Sequence, residues 1–313
     1  RLRQLARLEA IRIERELAEL GGEREKLEEI LASPAALKRL LVREIEADAK
    51  THGDDRRTLI RAERRAVAEL RLADEPVTVV ASLKGWLRVL KGHEVDPAAL
   101  AFKPGDSLYG VFGCRSVDTL LAFGSSGRVY SVAVAQLPGG RGDGVPLSSL
   151  VDLEAGTQLV HFWAGSAATT LLFANTGGYG LMAHAGDLHS RQRGGRAFLS
   201  LETGSRLLPP VAVGAGDRQV GCLALDGRLL VFAIDELKLQ PAGGRGLTLM
   251  DVDAAAPLLS VATCVDRLTV HGTGRGGKPK EVVLAGDALA AHAGRRARRG
   301  RKVDGLQKVL RVV

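Results

Sequence analysis

Leu120-Leu121-Ala122-Phe123, a turn at Ser126-Gly127-Arg128, then Val129-Tyr130-Ser131-Val132 is the stretch that decides how this chain folds. Two short β-prone runs on either side of a glycine-bearing turn spell a hairpin. Upstream the unit recurs as Val77-Thr78-Val79-Val80 and Trp86-Leu87-Arg88-Val89-Leu90 around Lys84-Gly85. Downstream, Leu171-Leu172-Phe173 and Tyr179-Gly180-Leu181-Met182 surround Gly177-Gly178, and Cys222-Leu223-Ala224-Leu225 and Leu229-Leu230-Val231-Phe232 surround Asp226-Gly227. The last copy places Arg267-Leu268-Thr269-Val270 and Glu281-Val282-Val283-Leu284 around Gly276-Gly277. The turn glycines stand roughly fifty residues apart, a period that predicts propeller-like blades of about four strands each. Five such units are enough to close a disc, since no single blade buries both of its faces alone. The 38 glycines among 313 residues, too many for a helical protein, agree with many tight turns.

A second feature rides on this period. Between blades the chain passes Gly140-Arg141-Gly142, Arg193-Gly194-Gly195-Arg196, Gly244-Arg245-Gly246 and Arg298-Arg299-Gly300-Arg301. Taken singly, each is an ordinary soluble turn; four in register with the blades predict a basic stripe along the rim. Glycine lets a backbone approach a phosphate closely, and arginine offers its oxygens a charged fork. Such a stripe suits a bent duplex held through its backbone without base reading. The expected contact residues are Lys84, Arg88 and Lys91 of the first blade, then Arg128, Arg141, Arg191, Arg193, Arg196, Arg228, Arg245, Arg275 and Lys278, and finally Arg298, Arg299 and Arg301. Arg295 and Arg296 extend the last group as a solvated run.

Upstream of Pro76 the pattern is helical. Residues 1–32 are rich in strong helix formers, and Ile13, Leu17, Leu20, Leu27 and Leu31 fall on one face. Gly21-Gly22 is expected as a weak point or turn. Ser33-Pro34 starts a second helix through Leu37, Leu40, Leu41 and Ile45, with Gly53 placed to end it. The expected organisation is a helical coiled-coil stalk over 1–58, a charged connector over 59–75 and a β domain over 76–313. Net charge is +8, yet residues 1–75 hold 17 basic and 17 acidic side chains, so the whole excess lies in the β part. That asymmetry predicts a polyanionic partner there.

Other signals are weaker. The scattered Cys114, Cys222 and Cys264 lack metal spacing and read as buried, reduced thiols. His271-Gly272-Thr273-Gly274-Arg275-Gly276-Gly277-Lys278 comes near two nucleotide motifs, but both need a helix next, and Pro279 followed by Glu281–Leu284 reads as strand. It is expected to be a basic hairpin turn. Arg141-Gly142-Asp143 is read as a loop of the repeat. The seven histidines show no metal spacing. With no signal segment and no apolar run long enough for a membrane span, the chain reads as a soluble cytoplasmic piece of a longer parent.

At the stalk and loops the chain resembles the A subunits of bacterial topoisomerase IV. The resemblance rests on Leu31-Ala32-Ser33, Ala47-Asp48-Ala49, Gly53-Asp54-Asp55-Arg56-Arg57-Thr58, Lys84-Gly85-Trp86-Leu87-Arg88, Lys91-Gly92-His93-Glu94-Val95-Asp96, Lys103-Pro104-Gly105-Asp106-Ser107 and Gly177-Gly178-Tyr179-Gly180. It implies a five-bladed β-pinwheel, a propeller relative with exchanged strands, that presents duplex DNA for ATP-dependent decatenation and relaxation. The partners it implies are the topoisomerase IV B subunit together with a second copy of the A subunit. It further implies ATP and Mg²⁺ in the holoenzyme but no cofactor here, and a nucleoid-associated location with peripheral inner-membrane association. The sister family, gyrase A, carries a longer Gln-Arg-Arg-Gly-Gly-Lys-Gly loop; the nearest match here is Gln192-Arg193-Gly194-Gly195-Arg196-Ala197, in a middle blade. That departure favours topoisomerase IV over gyrase-type wrapping. A protein-interaction propeller is the alternative of another class. The family's nucleophile is a tyrosine preceded by arginine. Tyr109, Tyr130 and Tyr179 do not follow arginine and are expected to be packing residues in a fragment that cannot cleave DNA alone.

Overall fold

β structure begins at Pro76 in the computed structural model, which describes residues 2–54, 73–140 and 142–313. The chain divides into a helical unit and a β unit. The expected connector lies largely outside the described residues, as does Arg141.

In the helical unit, α1 (Leu2–Ala32) passes through Gly21-Gly22 unbroken, so the expected interruption does not form. The helix formers on both sides carry the turn. Ser33 caps α2 (Pro34–His52), its Oγ accepting the Ala36 N–H at 3.3 Å with Pro34 in the first turn. Gly53 ends α2 in extended backbone (φ −70°) rather than a left-handed turn. Glycine is required there because a Cβ would strike the Ala49 carbonyl. Leu17, Leu20, Leu27 and Leu31 remain exposed along α1. Among the described residues, no helix is long and apolar enough to cross a membrane.

The β unit is a β-pinwheel of five antiparallel sheets whose edge strands are exchanged. β1 (Pro76–Ser82) and β2 (Trp86–Lys91) form the first hairpin, and β3 (Leu108–Arg115) pairs with β1. β4 (Thr119–Gly124) and β5 (Arg128–Ala133) form the second. The chain then returns to blade 1, laying β6 (Val145–Pro146) on β2, before β7 (Leu159–Gly165) rejoins β4. The excursion repeats. After the hairpin β8 (Thr170–Ala174) and β9 (Tyr179–His184), β10 (Arg196–Ala197) returns to β5 and β11 (Val211–Ala212) comes back to β8. After β12 (Gln219–Ala224) and β13 (Arg228–Ala233), β14 (Leu247–Thr248) returns to β9 and β15 (Leu258–Cys264) comes back to β12. After β16 (Arg267–Thr273) and β17 (Pro279–Ala285), β18 (Arg301–Lys302) returns to β13 and β19 (Lys308–Val312) closes on β16. Blades 1 to 4 thus each receive their outer strand from the following module, while blade 5 keeps three.

Each middle blade is sandwiched between neighbours, which explains why its hairpin strands read as apolar runs rather than as clean alternation. On β4, Leu120 and Ala122 join the core shared with blade 1, and Leu121 and Phe123 join the core shared with blade 3. Two further cores link blades 3 with 4 and 4 with 5. Among the described residues, no buried cluster combines side chains of blades 1 and 5, so no such core closes the disc. Packing of β3 on β7 and of β15 on β19 turns those edges inward and leaves the donated strands at the perimeter.

The three cysteines are buried and unpaired; burial pushes the Cys114 thiol up to about 11. The expected nucleotide-like motif is the β16–β17 hairpin turn and runs into strand. Tyr130 is fully buried, Tyr109 stacks edge-on against Phe162 at 5.2 Å, and Tyr179 lies beneath Arg245.

Candidate nucleic-acid interface

Each donated strand is entered through a left-handed glycine: Gly144 (φ 88°), Gly195 (62°), Gly246 (80°) and Gly300 (69°). A Cβ on any of them would strike a backbone carbonyl oxygen of the receiving hairpin, that of Leu87, Val129, Gly180 or Leu229 in turn. These glycines therefore serve the approach of chain to chain, which for Gly195, Gly246 and Gly300 corrects the expectation that they serve the approach to a phosphate. Gly142, Gly194 and Gly244 in the same loops face open space.

The loops are also tied to one another. The Asp152 N–H donates to the Arg193 carbonyl at 3.0 Å, the Ser200 N–H to Gly244 at 3.0 Å and the Asp251 N–H to Arg298 at 3.1 Å. Each step joins the segment after one donated strand to the segment before the next. The described parts of the loops consequently form one continuous ribbon along the perimeter.

The described basic residues of the ribbon and of the hairpins beside it fall into three groups. The first is spent on backbone. Arg88, only 7% exposed, donates through Nη1 to the Gly142 carbonyl (2.6 Å) and through Nη2 to Ala101 (3.0 Å). Arg128 Nη1 donates to Gly194 (2.9 Å) and Gly195 (3.1 Å), and Arg228 Nη1 to Gly300 (3.4 Å). All three clamp an incoming loop onto the hairpin that receives it. Arg196 donates to the Asp187 carbonyl at 2.7 Å and stacks on Phe198, and Arg296 donates to Thr248 at 3.0 Å. The buried Arg88 is held by the fold rather than offered to a ligand, which corrects its expected role; Arg228, 40% exposed, also meets Asp226 at 3.0 Å. Arg128→Met removes a charged donor from two carbonyls and is expected to destabilise the chain by about 1–3 kcal/mol in urea unfolding. Arg191→Met serves as the neutral reference; equal midpoints for the two variants would dismiss the clamp.

The second group is exposed but paired with carboxylates. Arg193 lies 3.7 Å from Asp152, Arg245 lies 2.9 Å from Glu202, and Arg299 reaches Asp251 at 3.1 Å and Asp253 at 2.9 Å. Their side chains stay more than half exposed, at 61%, 56% and 55%. These three expected contact residues thus each carry a carboxylate partner while remaining open to solvent. Hydrogen bonding to Asp251, with the charge of Asp253, pushes the Arg299 pKa further up.

The third group is exposed and, among the described residues, without a carboxylate or carbonyl partner: Lys91, Arg191, Arg275, Lys278, Arg298 and Arg301. Lys84 sits exposed at the first turn, its N–H bonded to Asp106. Arg191 and Arg193 border a cleft of about 530 Å³, lined also by Thr119, Ser131, Gln136 and His189. Sequence reading missed the acidic partners of the ribbon, although Asp152, Glu202 and Asp251 stand at the blade period in the chain. It also missed Lys103, whose ammonium lies 3.3 Å from the Trp86 ring centre.

No family model matches the chain. Among curated proteins it is similar to the DNA topoisomerase 4 A subunit of Pseudomonas aeruginosa, 37% identical over 99% of this chain and 42% of the relative. The corresponding protein of Neisseria gonorrhoeae is 36% identical over 95% of this chain and 40% of the relative, and that of Escherichia coli K12 is 35% identical over 100% and 42%. The chain thus spans about two fifths of the length of these relatives. Among solved structures, the E. coli ParC C-terminal domain superposes with a TM-score of 0.68 at 29% identity, covering 76% of this chain and 98% of that one. A DNA gyrase A C-terminal domain shares the fold, with a TM-score of 0.55 at 15% identity, covering 76% and 82%.

Strand-exchanged blades carrying this ribbon define a β-pinwheel of the kind found in the C-terminal domains of topoisomerase IV and gyrase A proteins. The chain belongs to the family of DNA topoisomerase IV A subunits.

Proposed function

We propose that the β unit binds duplex DNA through its phosphates along the loop ribbon and bends it around the perimeter. In the parent protein this presents DNA for ATP-dependent decatenation and relaxation by an assembly of two A and two B subunits. The observation that carries this reading is the continuity of the ribbon, with exposed arginines at successive blade steps and the chain's whole positive excess in this unit. Backbone-only contact makes the binding indifferent to base sequence. The described residues offer no group of three or more His, Cys, Asp or Glu that could hold a metal ion, and the β16–β17 turn lacks the helix a phosphate loop needs. The three tyrosines make packing contacts, which supports the reading that strand breakage is carried out by another part of the parent.

The test is duplex binding by the full chain across a salt series. With six to ten phosphates engaged, affinity should fall roughly 10³- to 10⁵-fold between about 50 and 200 mM salt. A flat response would favour a protein-interaction disc instead. Handed writhe imposed on relaxed circles would move the reading to gyrase-type wrapping.

A further inference from the structure

The carboxylates of the ribbon recur as regularly as the arginines. Asp152, Ser200 and Asp251 are equivalent by their backbone bonds to the next loop, and two residues on stand Glu154, Glu202 and Asp253. Asp152 meets Arg193, Glu202 meets Arg245, and Asp251 and Asp253 together hold Arg299. Such pairs commonly position a guanidinium, but two of these arginines have an independent anchor. Arg193 Nη2 also donates to the Ser149 carbonyl at 3.1 Å, and Arg245 lies over the Tyr179 ring, 4.5 Å from its centre. Each guanidinium therefore keeps a second contact besides the carboxylate, whose distinct effect is to neutralise the cation. At Arg299 two acids face one base, and that group carries a net negative charge. Glu154 differs: it accepts bonds from Ser126 and Thr157 and contacts Arg128 at 3.5 Å, so it belongs to the fold.

We propose that Asp152, Glu202, Asp251 and Asp253 are built-in counter-charges that compete with DNA phosphates for the ribbon arginines and thereby hold duplex affinity down. This rests on the DNA-binding reading above and adds to it the groups that set its strength. Exposed pairs of this kind hold weakly, so a phosphate can displace the carboxylate, but every displacement lowers the net gain. The Arg299 group, with two carboxylates, is the most attenuated step. A surface built this way captures a duplex and also releases it.

The test compares the full chain with the variant Asp152→Asn, Glu202→Gln, Asp251→Asn and Asp253→Asn, by fluorescence anisotropy of a labelled linear duplex over a salt series. Freed arginines should tighten binding about tenfold or more at low salt and steepen the log–log salt slope by about two, since each added phosphate contact is worth close to one. An isoelectric control, Glu94→Gln, Asp235→Asn, Asp266→Asn and Asp304→Asn, removes four exposed carboxylates that have no cationic partner among the described residues, and should leave the slope unchanged. In a double-mutant cycle, the gain from Glu202→Gln should vanish when Arg245 is alanine. Equal tightening by the control variant, or an unchanged or weaker affinity on neutralising the four ribbon acids, overturns the proposal while duplex binding itself stands. If the unmodified chain binds no duplex, it is the underlying reading that fails.

Discussion

Gly246→Val is expected to destabilise the chain by about 3 kcal/mol or more, the largest stability effect anticipated for any single loop position. Two costs combine. The backbone at Gly246 has φ 80°, a region that a β-branched residue occupies only under strain. Its new Cβ would also strike the Gly180 carbonyl, and Gly180 sits on the strand that receives β14. The clash has no flexible side chain to absorb it, because the carbonyl is backbone and the backbone fixes where the Cβ stands. Relief requires β14 to lift off β9, which opens the core shared by blades 3 and 4 beside Leu247, Leu249 and Met250. Gly194→Ala is the matched control: it lies in an equivalent loop, faces open space and has no left-handed backbone. Urea unfolding of the two variants should separate them clearly. Similar midpoints would mean that donated strands are tolerant of displacement and that the exchange contributes little to stability.

The second large effect concerns binding. Replacing Arg193, Arg245, Arg298 and Arg299 together by alanine is expected to weaken duplex affinity about a hundredfold or more at low salt and to flatten the salt slope by about two, since the three paired arginines contribute only in part. The loss exceeds that of the missing contacts because Asp152, Glu202, Asp251 and Asp253 are left as bare negative charges on the path of the phosphates. It should be the same for unrelated duplex sequences, since phosphate contacts carry no base information. The unfolding midpoint should barely move, because the three paired guanidinium groups are largely solvated. A loss of affinity accompanied by a loss of stability would instead assign these arginines to the fold alongside Arg88 and Arg128.

Part of the site was legible residue by residue. A Gly/Arg loop at each blade step is visible in the chain, and the structure strings the described loops into one ribbon. Which cations remain available was not legible. Arg88 and Lys91 stand three residues apart on one strand, and composition does not tell them apart as phosphate contacts. Yet Arg88 is buried against two carbonyls, and Lys91 is exposed. The difference arises because Gly142, some fifty residues downstream, is folded back over the hairpin. Gly21-Gly22 misled in the opposite sense, since a local propensity for interruption is outweighed by strong helix formers over the remainder of α1.

The amino-acid sequence by itself determined the five hairpins, the helix start at Ser33-Pro34 and the blade period, because turn and cap chemistry acts between residues a few positions apart. Tertiary structure alone decided the exchange of outer strands, the role of Gly144, Gly195, Gly246 and Gly300, and the pairing of ribbon arginines with carboxylates. Those depend on segments some fifty residues apart meeting at a blade edge, where a backbone carbonyl or a carboxylate takes up a charge that the sequence shows as free.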